Sequence, residues 1–468
     1  MAETRMNTSF QPRLTPVLYY NDGGGLCQYP LELLLKVYSI PIDPSIRLDH
    51  KKLYYGISVS RWVSSRTQRW KSKQIKEINI VIMNMLAGVR KGKNLCYSRS
   101  TGHRVSKRYN KKNINSKNII KAIDYLTEQG YCTNYIASSK QDPKEKRLPS
   151  FIVPSDKFIK EFCTEDEIIG FAEKAHLCAS EVVILRDSDS NNVDYKDNEI
   201  TIKARELIVR LNEISSKCEF RDKDNNLKDN FVSRIFNESS FTCGGRYAHS
   251  DFQVMSNKAH ERLFTTIDGE QVVEVDFCNL FIRMLTDLRK VDHSKFKDDD
   301  LYHMPLSDDE LNSDNRWLVK QAVNIMFNTS SERAAMSAIQ ATIKKRPASY
   351  CFKGAKEVFT AVVAAYPWLA DDFCQPVAKG YELMNLESWI AHDVAEVFAN
   401  INEPICIIHD SFIVKKKYEK LLVDSMVSAY RKHVQNPNVP VFLSVEWIER
   451  GNWLVDDSYH ELSIVVRD

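Results

Sequence analysis

The chain has no apolar run approaching the roughly 20 residues that a bilayer-spanning helix needs. Its opening MAETRMNTSF contains no hydrophobic stretch of the signal-peptide kind. These absences set the expectation of a cytoplasmic protein without a membrane partner. The 11 cysteines are odd in number and scattered, with no C-x-x-C and no paired Cys/His spacing. That pattern argues against a zinc site and against a disulfide framework, and leaves reduced packing residues. No internal repeat and no extended low-complexity tract is found. What is present is substantial: 468 residues, 43% hydrophobic and 27% charged, enough for two or three domains with real cores.

Charge is unevenly spread. Residues 61–121 hold 17 Lys or Arg against a single acid, Glu77, so a net charge of +3 conceals a strongly basic block and an acidic remainder. A block of this density reads as a nucleic-acid surface, with a solvated charged face as the alternative. Within it, IKEINIVIMNMLA (75–87) has helical apolar spacing. A Lys/Arg-rich loop follows, and Asn115-Ser116 is placed to cap a helix, SKNIIKAIDYLTEQG, that ends at Gly130. Two strand-like pieces, YCTNYIA and LPSFIVP, come next, joined by the charged SSKQDPKEKR. Helices followed by a two-stranded basic wing resemble a winged helix-turn-helix domain, with the helix from Ser116 as the major-groove element. Lys111, Lys112, Lys117 and Lys121 are its candidate DNA contacts.

Two carboxylates stand out further along. In CIIHDSFIV (406–414), apolar triplets flank His409-Asp410-Ser411, and Pro404 excludes a continuing helix, so two short strands around a tight turn fit best. An ionised Asp410 buried alone at such a tip would be costly and must meet a cation, a partner or water; a turn whose Asp caps its own backbone is the bland alternative. In QVVEVDFCNLFIRML (271–285) an apolar strand runs into Asp276, and Leu280, Phe281, Met284 and Leu285 suit the buried face of a short helix. Carboxylates from neighbouring strands can hold two Mg²⁺ ions, one activating a hydroxyl nucleophile and one neutralising a departing pyrophosphate.

Four stretches taken in order resemble the A-family DNA polymerases and their relatives, the single-subunit phage RNA polymerases. Asp276-Phe-Cys-Asn-Leu-Phe-Ile-Arg283 is similar to that family's motif A. Arg316-Trp-Leu-Val-Lys320 matches the R-x3-K of motif B, and His409-Asp410-Ser411 the HDS form of motif C. Upstream, Thr242-Cys-Gly-Gly-Arg246 is similar to the T-G-R element that contacts the primer-template duplex. The resemblance covers about residues 230–455. Read physically, Arg316 and Lys320 lie one helical turn apart and present two cations to a triphosphate, or form a solvated pair. Gly244-Gly245 permits positive φ and close backbone approach at a turn that aims Arg246, or makes a simple hairpin turn. The chain also departs from the family. Phe281 stands where its DNA polymerases carry the Glu of the ribose gate. An aromatic expected eight residues after Lys320 is found at the seventh, Phe327, with Asn328 eighth.

The resemblance implies an α+β right-hand polymerase, with an antiparallel palm sheet, helical fingers and a reduced thumb, behind a winged-helix-like basic domain. Domain limits are expected at 1–160 (basic DNA-binding region), 161–260 (thumb-like connection) and 261–468 (palm and fingers). It further implies Asp276 and Asp410 as catalytic metal ligands for two Mg²⁺ ions, with Mn²⁺ as a substitute. Arg316, Lys320, Phe281 and Phe327 would bind the nucleotide, and Arg246, Arg283 and His409 the primer-template. Implied partners are template and primer DNA, dNTPs or NTPs, and a replicative helicase or small accessory protein. RIFNESSFTCGGRY (234–247) looks especially like the primase-polymerases of mobile elements, including those of staphylococcal cassette chromosomes. Two other readings stay open: a DNA-binding replication initiator with an inactive core, and a template-independent terminal transferase.

Overall fold

The computed structural model describes residues 19–21, 26–28, 77–78, 80–82, 84–85, 95–97, 99, 108–109, 116–136, 150–162, 181–225, 227–255, 260–292, 300–376, 379–449 and 458–466. Among the described residues, helices combine with sheets of mostly antiparallel strands, which makes the architecture α+β. The chain divides into two compact units, Met1–Val182 with Asn226–Phe231, and Val183–Asn225 with Val232–Asp468.

In the first unit, a short hairpin pairs β1 (Tyr19–Asn21) with β2 (Leu26–Gln28). The described residues of 77–85 are helical and bury Ile78, Val81, Ile82 and Met85, an i, i+3, i+4, i+7 stripe. Strand β3 (Leu95–Tyr97) follows, then α1 (Ser116–Glu128), β4 (Cys132–Tyr135), β5 (Ser150–Pro154) and α2 (Asp156–Phe162). Helix α1 buries Ile119, Ala122, Ile123 and Leu126, and leaves Lys117 and Lys121 exposed on its other side. Gly130, at φ +74, ends it in a conformation that costs glycine little. Strands β4 and β5 pair antiparallel, and stacking of Tyr135 on Phe151 at 4.6 Å fixes their register. Strand β3 adds to β5's other edge, inside a stretch whose sequence reads as a basic loop. Lys111, Lys112 and the charged stretch 138–147 lie outside the described residues.

The second unit begins with β6 (Val183–Leu185), α3 (Glu199–Ser215) and β7 (Phe220–Arg221). After β8 (Leu227–Lys228), which belongs to the first unit, come β9 (Ser233–Phe236), β10 (Gly244–Ala248), β11 (Thr266–Ile267) and β12 (Glu270–Phe277). Helices α4 (Leu280–Leu288), α5 (Ser313–Asn328), α6 (Glu332–Lys345), α7 (Ala355–Ala365) and α8 (Lys379–Asn400) precede β13 (Cys406–Ile408), β14 (Ser411–Lys415), α9 (Glu419–His433), β15 (Val441–Glu449) and β16 (Ser458–Val466).

Strand β12 is the centre of this unit. It pairs antiparallel with β14 on one side and β15 on the other, giving the order β13-β14-β12-β15-β16. Its alternation explains that position: Val273, Val275 and Phe277 are buried on one face, while Glu274 and Asp276 fall on the other. Glu274 is buried as well and takes a two-point ion pair from Arg262, at 2.6 and 3.0 Å, plus the Ser411 hydroxyl. Those bonds tie β12 to the 3₁₀ turn at Glu261–Phe264 and to the first residue of β14. Helix α5 starts at Asn312, whose side chain accepts from the amides of Asp314 and Asn315. Its buried face is Leu318, Val319, Ala322, Val323, Met326 and Phe327, and that rotation decides what the helix presents to the cleft.

Candidate active site

Asp276 and Asp410 come together because β12 and β14 are neighbours in register. Asp276 pairs with Ser411, and the Phe277 amide donates to the Asp410 carbonyl at 3.2 Å. The connection from β13 to β14 is only His409-Asp410, and His409 sits at φ +58, the left-handed conformation that such tight two-residue turns demand. His409 itself is exposed at the tip. Burial, then the charges of Asp410 and Glu274, push the Asp276 carboxyl well above the ordinary range, opposed by Lys320. Asp276 Oδ1 is buried and has no hydrogen-bonding partner. An acceptor left bare beside a second carboxylate is a strong electrostatic demand for a cation.

A cleft of about 630 Å³ opens over the two carboxylates. Arg316, Lys320, Asn324 and Asn328, four residues apart each time, form the stripe of α5 that lines it. Tyr302, buried beneath this wall, has its ring 5.8 Å from the Arg316 guanidinium carbon and 6.0 Å from the Lys320 ammonium. Arg316 is held by the Asp300 carboxylate. Burial raises the Asp300 pKa, but the hydrogen bond and charge of Arg316, the Tyr302 amide and the Asn279 side chain outweigh it, so the carboxyl ends below its usual value.

The third wall is built on the glycine turn. Gly244 and Gly245 have φ +71 and +90, and a Cβ on Gly245 would stand 2.6 Å from the Phe236 ring and 2.9 Å from the Ser388 hydroxyl. Only glycine lets β10 approach α8 this closely. Arg246, next in line, donates to Glu387 Oε2 through Nε at 3.1 Å and Nη2 at 2.5 Å, with its guanidinium carbon 5.3 Å from the Phe281 ring centre. Burial pushes Glu387 up to about 7, with Arg246 pulling it down and Asp410 pushing it further up. Behind them Arg234, wholly buried, donates to the Gly245 carbonyl and the Ser388 hydroxyl, at 2.7 and 2.6 Å. It therefore grips the neighbour of each member of the Arg246–Glu387 pair.

Six of the residues singled out in the sequence thus line one cleft: Asp276, Asp410, Arg316, Lys320, Phe281 and Arg246. Three others are placed differently, of which His409, exposed at its turn, is not among the lining residues. Phe327 is fully buried against Phe373, at 5.0 Å, because it is rotated about 100° from the lining stripe; Asn328 occupies the cleft position instead. Arg283 is buried, donates to the Cys278 carbonyl at 3.0 Å and stacks on Phe442 at 3.6 Å, so it braces the start of α4 rather than facing the cleft. Sequence reasoning missed Asp300, Tyr302, Glu387 and Asn324. Of these only Asn324 had a readable signal, the four-residue spacing from Lys320.

Among the described residues no group of three or more His, Cys, Asp or Glu converges as a metal cage. The bare Asp276 oxygen beside Asp410 fits a different donor set, two carboxylates completed by water and substrate, which suits Mg²⁺. No protein-family model matches the sequence, and no curated protein is significantly similar to it.

Proposed function

We propose that the second unit is a template-directed nucleotidyltransferase of right-hand architecture, in which β12, β14 and β15 serve as palm and α5–α7 as fingers. One observation carries the reading: a single cleft sets the carboxylates of Asp276, on β12, and Asp410, in the turn leading into β14, opposite two cations one helical turn apart. The cations match a triphosphate, the bare carboxylate pair matches divalent metal, and the chemistry that joins these is phosphoryl transfer. When bound, Mg²⁺ at Asp276 and Asp410 would neutralise charge on the transferring group and ease deprotonation of the attacking hydroxyl. Arg316 and Lys320 would hold the polyphosphate against the cleft face of α5. The sequence resemblance supports the same assignment and adds the setting, replication of a mobile element or phage with primer synthesis as a further activity.

Phe281 supplies the test of substrate class. Its ring lines the cleft and is braced by Arg246, which Glu387 fixes from behind. A rigid ring at the sugar position excludes a 2′-hydroxyl by contact. Wild-type protein is expected to prefer dNTPs over NTPs in competition on a defined template. Phe281→Ala is expected to lose about tenfold or more of that preference, with dNTP incorporation less affected. Equal use of both sugars by the wild type would contradict the gate.

For the first unit, the helix α1, its partner strands and the basic composition support duplex binding by a winged-helix-like domain. Lys117 and Lys121 are exposed on α1. Replacing both by Ala is expected to flatten the slope of log affinity against log salt by about 1 for each phosphate that is no longer neutralised. An unchanged slope would assign this face to solvent.

A further inference from the structure

Arg316 is a phosphate-seeking group that already holds an anion. Its Nε donates to Asp300 Oδ2, and the other carboxylate oxygen, Oδ1, accepts from Asn279 Nδ2 and from the Tyr302 amide, each at 3.0 Å. Asn279 sits at φ +56 just before α4, three residues after Asp276. Asp300 therefore stands as a bridge between the strand end that carries a catalytic carboxylate and the helix that carries the cations. All of these residues line the same cleft. Tyr302, following Asp300 in a short 3₁₀ turn, lies under both Arg316 and Lys320.

Resting on the polymerase reading above, we propose that Asp300 is an internal stand-in for the nucleotide polyphosphate: it clasps Arg316 while the cleft is empty and must release it before a triphosphate can bind. The clasp is an affinity-setting contact. A ligand that needs Arg316 binds only the released fraction of molecules, so its apparent affinity falls by that fraction. Each occupant that uses Arg316 must first displace this charge-assisted hydrogen bond. Lys320 has no such partner among the described carboxylates at bonding distance and stays available as the first point of contact. The exchange also couples substrate to the catalytic strand, because releasing Arg316 frees one arm of the Asn279–Asp300 bridge.

The test is Asp300→Asn, which keeps an oxygen to accept from Tyr302 and Asn279 but lacks the charge that holds Arg316. Binding of inorganic tripolyphosphate, measured calorimetrically on the full chain without divalent metal, is expected to tighten about threefold to tenfold. Removing any negative charge from a cleft favours anions in general, so two controls decide the cause. The gain must disappear in an Arg316→Met background, and Glu461→Gln, which neutralises another cleft-lining acid, must give less of it. A gain that persists without Arg316, or Asp300→Asn binding no tighter than wild type, overturns the clasp and leaves the polymerase reading standing. Wild-type protein that binds neither tripolyphosphate nor any nucleotide overturns both.

Discussion

Asp276→Asn and Asp410→Asn are each expected to reduce Mg²⁺-dependent nucleotide incorporation by about three orders of magnitude or more, while leaving DNA binding within about twofold of wild type. The asymmetry follows from where the charge is needed. On the polymerase reading the pair would hold the Mg²⁺ that neutralises charge developing during transfer, whereas phosphate contacts made elsewhere would hold the duplex. Stability should move the other way. The Asp276 carboxyl is buried beside Asp410 with one oxygen unpartnered, so in the metal-free protein its ionisation is disfavoured and the group is poorly satisfied there. Asn removes the ionisable group with little change of shape, and the metal-free variant is expected to melt no lower than wild type. Incorporation, filter binding and thermal melting on the same preparations check all three parts. Substantial incorporation by either variant, or a large loss of melting temperature, would contradict the assignment.

Lys320→Ala is expected to have the next largest effect, a fall of about 10²–10³ in kcat/KM for the nucleotide, with Arg316→Ala lower by about tenfold to a hundredfold. The two cations are not equivalent in position. Lys320 is the cation that acts on the Asp276 carboxyl, so it faces the reacting end of the cleft. Arg316 lies one turn towards the start of α5 and is engaged by Asp300. We therefore expect loss of Lys320 to appear mainly in kcat and loss of Arg316 mainly in KM. Lys320→Arg should recover part of the rate, since it restores charge but not the compact ammonium. Single-nucleotide kinetics at saturating primer-template separates these effects. Identical KM-only effects at both positions would mean that the helix simply attracts anions.

Much of this cleft could be read in the chain because its parts depend on short-range patterns. A strand that alternates Val273, Val275 and Phe277 with Glu274 and Asp276 declares both its pleat and the face of its carboxylates. The His409-Asp410 turn is bracketed by apolar triplets, and two glycines before Arg246 mark a backbone that only glycine allows. Other parts depend on partners distant in sequence. Glu387 is 141 positions from Arg246, and the helix that carries it gives no local sign that a carboxylate will face inward. Arg283, expected at the duplex, is instead interior. Its neighbours Ile282, Met284 and Leu285 are all buried, and the residue goes in with them, stacked on Phe442 from a strand far along the chain. Phe327 shows how narrow the margin is, since one residue of helical phase moves a side chain from the cleft to the core. Strand β3 is three residues long, too short for alternation to distinguish it from the loop around it.

Single-nucleotide extension on four duplexes that differ only in the templating base decides whether this cleft copies a template. With Mg²⁺ present, each template is expected to direct addition of its complementary nucleotide, and Asp410→Asn to add none. Addition of the same nucleotide to all four duplexes would make the protein a template-independent transferase, and no addition by wild type on any of them would contradict polymerase chemistry altogether.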